Sequence, residues 1–375
     1  MNYYVIAGEP SGDLHASNLL RELKKADQKA TFRCWGGDLM KAEGGEIVKH
    51  YKELAFMGFI EVVANLRTIF KNIAFCKEDI LKHKPDALIL VDYPGFNLRI
   101  AKWAKQQGIR VFYYISPTVW GWQESRVNIV KECVERMFVI LPFEKPFYAK
   151  HNCEVDYFGH PLSDIVNAEK EKIISRNDFL KKHNLPDKPI IALFPGSRKQ
   201  ELNYILPDML KAVKHFPDYQ FVIGASATFS QNNYEAVTKG FDVKIIKDDT
   251  YALMFHARAG LVKSGTSILE AALFGLPMAL CYSGNAISVQ ITRMVIKVKW
   301  IGLVNLILNK NAVTELIQRE LNETRIVEEL TGLLEGPKRN QLLAEYNIIQ
   351  GLLQAGNVSA KIAAEIYRRL QHEKA

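Results

Sequence analysis

Residues 263–277 have the sequence KSGTSILEAALFGLP, and this stretch shows how the chain is built. A buried strand predicted at 259–262 leads into it, and an apolar helix is predicted to follow. Gly265 allows a tight turn between the two elements, and the hydroxyls of Ser264, Thr266 and Ser267 suit a helix N-cap. A strand, a glycine turn and a helix in this order form the repeating unit of a parallel α/β sheet.

The start of this helix is also a candidate anion site. The first amides of a helix have no internal partner and lie at the positive end of its dipole, an arrangement that binds phosphate. Glu270 lies on the same helix face as Thr266, where its carboxylate can accept hydrogen bonds from a ribose. For this segment alone, the simpler alternative of a capped helix with Glu270 countering the dipole is favoured.

The same alternation of apolar strands and amphipathic helices extends along the whole chain. Strands are predicted at 3–7, 87–92, 111–115 and 137–140, and then at 190–194, 221–224, 244–246, 259–262 and 278–281. We predict an α/β protein with two Rossmann-like doubly wound domains, at 1–165 and 186–345, and the tail 346–375 is a candidate for completing the first. Ligands of such domains bind beyond the carboxyl ends of the strands, here in a cleft that both domains face.

Composition narrows the compartment and the partners. The chain has 375 residues, a net charge of +8 and five scattered cysteines. This charge favours anionic partners, namely nucleic acid, phosphorylated metabolites or anionic lipid, without choosing among them. Unpaired, scattered cysteines indicate a reducing compartment and argue against a zinc module. Neither a signal peptide nor a bilayer-spanning stretch is visible in the sequence, so we expect a cytoplasmic protein.

A glycine-containing loop at 7–13 follows the first predicted strand and leads into a helix. Its candidates for contact with a diphosphate or an acceptor are Gly8, Ser11 and Gly12. The loop matches neither a dinucleotide-binding fingerprint nor a Walker A loop. For Asp13, a structural role in the first helical turn is as well supported as a ligand contact.

A second loop places Gly196, Ser197 and Arg198 between a strand and a helix. The planar guanidinium of Arg198 suits phosphate oxygens. A cation at a helix N-terminus is locally unfavourable, so its presence there favours a function in binding an anion.

Two further strand ends carry side chains suited to catalysis or sugar binding. Asp92 directly follows the apolar run 87–91, so its carboxyl group is expected at the sheet edge, with a raised pKa, as a general base. Capping of the next turn by Asp92 is an equally supported alternative. Ser116 and Trp120 belong to the loop 116–122, whose tryptophans suit a sugar ring, acyl chains or simple core packing.

A helix predicted at 56–75 carries a wide apolar stripe flanked by cations. The stripe consists of Phe56, Met57, Phe59, Ile60, Val63, Leu66 and Phe70. Most such helices face a core. The bulk of the stripe, with Arg67 and Lys71 beside it, also fits a helix that lies on a bilayer surface.

Taken together, these segments resemble the lipid-A-disaccharide synthase family. The motifs that carry the resemblance are AGEPSGD at 7–13, MGFIEV at 57–62, DYPGFN at 92–97, SPTVWGW at 116–122, LPFE at 141–144, GHPL at 159–162, PGSR at 195–198 and SGTSILE at 264–270. They follow the family's order through nearly the whole chain, and the combination is far more specific than any single motif.

The resemblance implies the GT-B glycosyltransferase fold and an inverting transfer. The enzyme would join UDP-2,3-diacylglucosamine to 2,3-diacylglucosamine 1-phosphate through a β-1,6 link and release UDP. It would act at the cytoplasmic face of the inner membrane as a peripheral protein, and it would need neither a metal, nor another cofactor, nor a nucleic acid. The alternatives are another GT-B enzyme such as a UDP-sugar epimerase, and a non-catalytic membrane-surface protein that binds sugar nucleotides.

The resemblance also implies roles for individual residues. Asp92 would take the proton of the acceptor 6-hydroxyl, and the stripe at 56–75 would contact acyl chains or the membrane. The donor would be bound by Gly196, Ser197, Arg198, Ser264, Gly265, Thr266, Glu270 and Asn305. The family's Leu-Pro-Asn sequence is Leu-Val-Asn at 303–305, so this loop lacks the proline but keeps the asparagine.

Overall fold

The computed structural model describes residues 1–54, 65–226, 229–284, 298–354 and 356–372. The chain divides into two units, one formed by Met1–Pro161 with Ala355–Ala375 and the other by Leu162–Gln354. Residues 166–185, which lie between the two predicted domains, therefore belong to the second unit, as do residues 346–354, which were candidates for completing the first.

A parallel sheet of seven strands forms the centre of the first unit, as far as the chain is described. Its strands are β1 (Asn2–Ala7), β2 (Thr31–Gly36), β3 (Glu46–His50), β4 (Ala87–Val91), β5 (Val111–Tyr114), β6 (Arg136–Val139) and β7 (Asp156–Tyr157). They are arranged as β3-β2-β1-β4-β5-β6-β7, so the order reverses between β1 and β4. All five residues of β4 are buried, because a central strand covered on both faces needs a continuous apolar run.

Helices cover both faces of this sheet. They are α1 (Pro10–Ala26), α2 (Asp38–Ala42), α3 (Leu66–His83), α4 (Pro94–Gln106), α5 (Val119–Trp122), α6 (Arg126–Cys133), α7 (Glu144–Lys150) and the C-terminal α17 (Val358–His372). Alternate residues of each strand point to opposite faces. Tyr4 and Leu88 thus belong to one core cluster, whereas Tyr3 and Ile89 belong to the other.

The C-terminal helix α17 returns to the first unit. Ile362 and Ile366 are fully or almost fully buried, in the same cluster as Leu19 and Leu23 of α1. An amphipathic helix of this length gains most of its stability by burying its apolar face against a neighbour. The expectation that the C-terminal end of the chain crosses back to the first domain is thereby confirmed.

A second parallel sheet, with six strands in the described residues, forms the centre of the second unit. Its strands are β8 (Ile190–Phe194), β9 (Gln220–Ala225), β10 (Val243–Lys247), β11 (Ala259–Lys263), β12 (Met278–Tyr282) and β13 (Glu315–Ile317). They are arranged as β10-β9-β8-β11-β12-β13, so the order here reverses between β8 and β11.

The helices of the second unit follow and separate these strands. They are α8 (Pro161–Lys170), α9 (Arg176–Lys182), α10 (Lys199–Leu210), α11 (Gln231–Thr238), α12 (Thr250–His256), α13 (Thr266–Phe274), α14 (Leu303–Leu308), α15 (Glu323–Leu334) and α16 (Pro337–Leu353). The two sheets confirm the predicted α/β class with two Rossmann-like halves.

Candidate active site

The strand β4 places Asp92 at the carboxyl edge of the first sheet, directly after Val91. Asp92 and Tyr93 both have left-handed backbones, with φ of 46° and 49°. Such a conformation costs on the order of 1–3 kcal/mol for a non-glycine residue and persists where the surroundings hold it. Asn97 donates hydrogen bonds to the carbonyl oxygens of Val91 (3.2 Å) and Asp92 (2.8 Å), and the Tyr113 hydroxyl donates to the Asp92 carbonyl at 2.6 Å. These bonds hold the turn that presents the Asp92 carboxyl group.

The electrostatic surroundings of Asp92 favour its neutral form. Burial raises the pKa of the Asp92 carboxyl to about 7, the nearby Glu9 carboxylate adds to the rise, and the Tyr93 N–H opposes it. A general base is most effective when its pKa lies near the operating pH. The site can therefore accept a proton from a bound alcohol near neutral pH.

The glycine loop at 7–13 lies against the Asp92 turn. A Cβ on Gly8 would clash with the ring of Tyr93, so this close approach requires glycine. Gly12 is buried, whereas Ser11 is exposed. Both loops follow the strands β1 and β4, between which the strand order reverses, and ligands of doubly wound sheets bind at such a reversal. The structure thus brings two of the predicted loops together.

Asp13 has a structural role. Its buried carboxylate accepts hydrogen bonds from the backbone N–H groups of Gly37 (2.8 Å), Leu39 (3.2 Å) and Met40 (3.2 Å). These bonds attach the short helix α2 to the start of α1. The ligand contact that the sequence left open for Asp13 is not supported by this geometry.

Glu144 organises the loop that carries Ser116 and Trp120. Its carboxylate is 1% exposed and accepts hydrogen bonds from Trp120 Nε1 (3.2 Å) and from the backbone N–H groups of Ile140 (3.1 Å) and Leu141 (2.8 Å). Burial raises the pKa of Glu144 to about 7, and its hydrogen-bond donors oppose the rise. Ser116 is buried, whereas Trp120 is half-buried. Sequence reasoning assigned no role to Glu144 beyond its place in a family motif.

In the second unit, Glu201 organises the loop of Gly196, Ser197 and Arg198. Its Oε2 accepts hydrogen bonds from the backbone N–H groups of Ser197 (3.0 Å) and Arg198 (3.2 Å), and its Oε1 pairs with Lys263 Nζ at 2.7 Å. Gly196 has φ of 114°, and a Cβ there would clash with the Glu201 carboxylate. Two amides of this loop thus bind Glu201, while the side chain of Arg198 is exposed.

The start of α13 differs from the expected capped helix. Its N-cap residue is Gly265, with φ of 155°, and no side chain caps the helix. The hydroxyl of Ser267 instead donates to the Lys263 carbonyl at 3.3 Å. The cap predicted from Ser264, Thr266 and Ser267 is therefore wrong. Because no side-chain oxygen covers the helix start, its first amides can bind an anion.

Glu270 lies one turn into α13. Its Oε1 accepts a hydrogen bond from the Tyr251 hydroxyl at 3.0 Å. Burial raises the pKa of Glu270, and the bond from Tyr251 opposes the rise. Tyr251 holds the carboxylate in one orientation, and no sequence motif indicates this partner.

These residues surround a cavity of about 320 Å³ at the carboxyl ends of β8 and β11. We call it the donor pocket after the role that the sequence predicts for part of its lining. The predicted donor-binding residues that line it are Gly196, Ser197, Ser264, Gly265, Thr266 and Glu270. The volume lies in the range of roughly 300–1,000 Å³ typical of small-molecule sites. Six of the eight predicted donor-binding residues thus line one pocket, and they are six of its fifteen lining residues.

Asn305 has a different position from the one implied for it. The residue is fully buried, and its Nδ2 donates to the Val313 carbonyl (2.8 Å) and to Glu315 Oε1 (3.0 Å). Its Oδ1 accepts from the N–H groups of Ala312 (2.9 Å) and Val313 (2.8 Å). A direct contact with a donor would require Asn305 to give up these bonds. The geometry assigns it to holding the loop at 311–315.

The described residues contain only part of the predicted apolar stripe. Phe56, Met57, Phe59, Ile60 and Val63 lie outside them, and so does the side chain of Leu66. Phe70 is 59% exposed, and the neighbouring Arg67 and Lys71 are exposed as well.

The described part of the chain has neither a candidate metal cluster nor a candidate membrane-spanning helix. It contains no cluster of three or more His, Cys, Asp or Glu residues that could hold a metal ion. None of its helices combines the length and the apolar character that crossing a membrane requires.

Similarity to known proteins agrees with the motifs. The model of a family described as lipid-A-disaccharide synthetase matches residues 3–367. The chain belongs to this family. The lipid-A-disaccharide synthase of Geobacter metallireducens is 36% identical over 98% of this chain and 96% of its own. That of Syntrophus aciditrophicus is 38% identical over 91% of this chain and 90% of its own.

Solved structures with a similar fold have very different sequences. The UDP-GlcNAc 2-epimerase from Neisseria meningitidis covers 98% of this chain and 100% of its own, with a TM-score of 0.67 and 14% identity. A putative UDP-N-acetylglucosamine 2-epimerase from Listeria monocytogenes covers 99% and 97%, with a TM-score of 0.66 and 12% identity. At this identity the likeness concerns the fold alone, and it confirms the GT-B class.

Proposed function

We propose that this protein joins UDP-2,3-diacylglucosamine to 2,3-diacylglucosamine 1-phosphate through a β-1,6 link and releases UDP. The observation that carries the proposal is the family match over residues 3–367. The donor pocket and the Asp92 turn are the two described sites whose chemistry fits such a transfer.

The donor pocket binds the UDP group. The uncapped first amides of α13 bind the diphosphate, because they present N–H donors and the positive end of a helix dipole. Glu270, oriented by Tyr251, accepts hydrogen bonds from the ribose hydroxyls. The exposed Arg198 guanidinium donates to phosphate oxygens and offsets the negative charge that develops on the leaving group.

Asp92 acts as the general base. It takes the proton of the acceptor 6-hydroxyl while that oxygen attacks the anomeric carbon of the donor. The bond between the anomeric carbon and the diphosphate oxygen breaks, UDP departs with the electron pair, and the anomeric configuration inverts. Its pKa near 7 suits this step, since the carboxylate is available at neutral pH and still holds the proton it accepts.

The reaction is tested with the purified protein and both acylated substrates. We expect stoichiometric UDP and a disaccharide 1-phosphate by mass spectrometry, with equal rates in the presence and absence of EDTA. A second assay contains UDP-GlcNAc alone, because a 2-epimerase would convert this sugar nucleotide to its epimer without an acceptor. Formation of an epimer, or of UDP without disaccharide, would contradict the proposal.

We also propose that α3 lies at a membrane surface. The support is the exposed Phe70 beside the exposed Arg67 and Lys71, since an aromatic side chain flanked by cations suits the headgroup region of an anionic bilayer. Phe70→Asp should weaken binding to vesicles of phosphatidylglycerol and phosphatidylcholine by roughly tenfold or more. The matched control is Phe255→Asp, an exposed phenylalanine of the second unit, which should bind as the wild type does. Equal binding of all three proteins would refute the assignment.

A further inference from the structure

A second cavity of about 440 Å³ lies at the other end of the second sheet. It opens at the amino ends of β8 and β11, where the Arg258 N–H donates to the Ile190 carbonyl at 2.8 Å. The donor pocket lies at the carboxyl ends of the same two strands, beside Phe194 and Lys263. Strands of five residues at about 3.3 Å per residue place the two cavities roughly 15 Å apart. The second cavity is therefore separate from the donor pocket.

Three arginines, Arg176, Arg258 and Arg339, line this cavity, which we call the arginine pocket. Each guanidinium is held by backbone carbonyl oxygens. Arg176 donates to the carbonyls of His256 (3.2 Å) and Lys188 (2.8 Å). Carbonyl groups fix the direction of these cations but do not neutralise them.

Arg258 and Arg339 are held in the same way. Arg258 Nε donates to the Leu334 carbonyl at 2.9 Å, and Arg339 Nη1 donates to the Leu333 carbonyl at 3.0 Å and to the Arg258 carbonyl. Within the described residues, the terminal N–H groups of Arg258 have no protein partner. The pocket thus contains oriented guanidinium N–H donors that are not hydrogen-bonded to the backbone carbonyls around them.

Acidic side chains do not balance this charge. Asp187 is the one carboxylate among the described lining residues, its side chain is 85% exposed, and it lies 3.8 Å from Arg176. Neither Arg258 nor Arg339 forms an ion pair with a described carboxylate. Burial lowers the pKa of Arg339, and the nearby Arg258 guanidinium lowers it further. His256 adds no charge near neutral pH, since burial lowers its pKa as well.

Helix capping explains only part of this arrangement. Arg258 and Arg339 satisfy the last carbonyls of α15, as cations at a helix C-terminus commonly do. Each of these two arginines binds a different carbonyl. Capping does not account for a third arginine, Arg176 of α9, that lines the same cavity, or for the lack of a described carboxylate paired with Arg258 or Arg339.

We propose that the arginine pocket binds the phosphate group of a phosphate ester. Guanidinium groups present planar pairs of N–H donors that match phosphate oxygens, and several oriented cations around one cavity favour a dianion over a single carboxylate. A volume of about 440 Å³ also leaves room for the group that the phosphate carries. Such an ester is either a soluble metabolite or the headgroup of an anionic lipid.

The test titrates inorganic pyrophosphate into the whole protein at constant ionic strength, with UDP in excess so that the donor pocket is occupied. The double variant Arg258→Gln/Arg339→Gln should bind pyrophosphate about tenfold or more weakly than the wild type, because two charge-assisted hydrogen-bonding groups are lost. Arg325→Gln is the control, since Arg325 lies on α15 but pairs with Glu328 at 2.7 Å. Equal affinities of the double variant and the wild type would overturn the proposal, and so would an equal loss in the control.

Two further measurements keep this test decisive. If the double variant does not fold, Arg176→Gln replaces it, because Arg176 is partly exposed and its loss breaks fewer internal bonds; unchanged affinity then refutes the pocket. Sedimentation with phosphatidylglycerol vesicles separates the two sources of phosphate. Reduced vesicle binding by the variant identifies a lipid headgroup, whereas unchanged vesicle binding with reduced pyrophosphate binding identifies a soluble ester. These readouts do not depend on glycosyl transfer, so they can fail independently of the proposed function.

Discussion

Asp92 of the Asp92 turn and Glu201 of the donor pocket are carboxyl groups with opposite surroundings. Asp92 is held on a left-handed backbone, in surroundings that disfavour its charge and near a second carboxylate, that of Glu9. Glu201 in the donor pocket has an ion pair with Lys263 and hydrogen bonds from two backbone amides. A reactive group requires the first condition, and a scaffold that keeps a pocket in shape requires the second. This difference predicts that substitutions at the Asp92 turn lower the rate of transfer, whereas substitutions in the donor pocket weaken donor binding.

The largest effect is expected at the Asp92 turn. Asp92→Asn should lower the rate of transfer by about 10²- to 10⁴-fold, the range that general-base catalysis contributes, because the amide cannot accept the acceptor proton. Asparagine tolerates a left-handed backbone, so the turn should be retained. UDP affinity, measured by calorimetry, should equal that of the wild type. Transfer at the wild-type rate would remove Asp92 as the base.

The same variant shows whether the native Asp92 carboxyl group lowers stability. A carboxyl group whose pKa is raised by folding binds its proton more tightly in the folded state, so stability falls as pH rises from the unfolded pKa near 4 to the folded value of about 7. Asp92→Asn removes this loss and should be more stable than the wild type at pH 8, by denaturant unfolding. A variant less stable than the wild type at every pH would place Asp92 among the structural carboxylates.

A smaller effect is expected from pH alone. Because transfer needs the ionised base, kcat/KM should fall about tenfold for each pH unit below 7 in the wild type. Glu144 is a second buried carboxyl group of the first unit with a pKa of about 7, and so Glu144→Gln is the necessary control. The acid limb should persist in Glu144→Gln. Loss of the acid limb in Glu144→Gln would mean that Glu144, and not Asp92, is the group that titrates.

Substitutions in the donor pocket should change the donor KM rather than kcat. Glu201→Gln breaks the pair with Lys263 and weakens the bonds to the loop amides, which should raise the donor KM by about tenfold while kcat changes little. Glu345→Gln is a matched control, because Glu345 also pairs with a lysine and its side chain is 11% exposed, against 12% for Glu201. Both variants should lose stability, but only Glu201→Gln should lose donor affinity. A fall in kcat alone would mean that Glu201 acts in the chemical step.

The sequence predicted the central strands and the loops after them, since a strand buried on both faces must be a continuous apolar run. It missed the strands β2, β3, β7 and β13. Of these, β7 has two residues, and all five residues of β3 are at least partly exposed, so neither produces a clear apolar pattern.

Sequence motifs also could not predict pairs of interacting side chains that lie far apart along the chain. Tyr251 meets Glu270 across 19 positions, and Lys263 pairs with Glu201 across 62, so no local spacing connects them. The predicted cap of α13 failed for a local reason. The hydroxyls near its start were suitable, but the chain enters the helix through Gly265, and the hydroxyl of Ser267 binds a strand carbonyl instead. An uncapped helix start could be recognised only from the structure.

The smallest effect on donor binding is expected at Asn305, the residue for which motif and geometry differ. Asn305→Ala removes a buried side chain with bonds to Val313 and Glu315, so it should lower the free energy of unfolding by about 1–3 kcal/mol. The donor affinity of the folded fraction should change less than about twofold, because this side chain does not line the donor pocket and energetic effects of separate groups are nearly additive. Both quantities are measured at a temperature well below unfolding. A tenfold loss of UDP affinity with unchanged stability would restore Asn305 as a donor contact and extend the pocket to the start of α14.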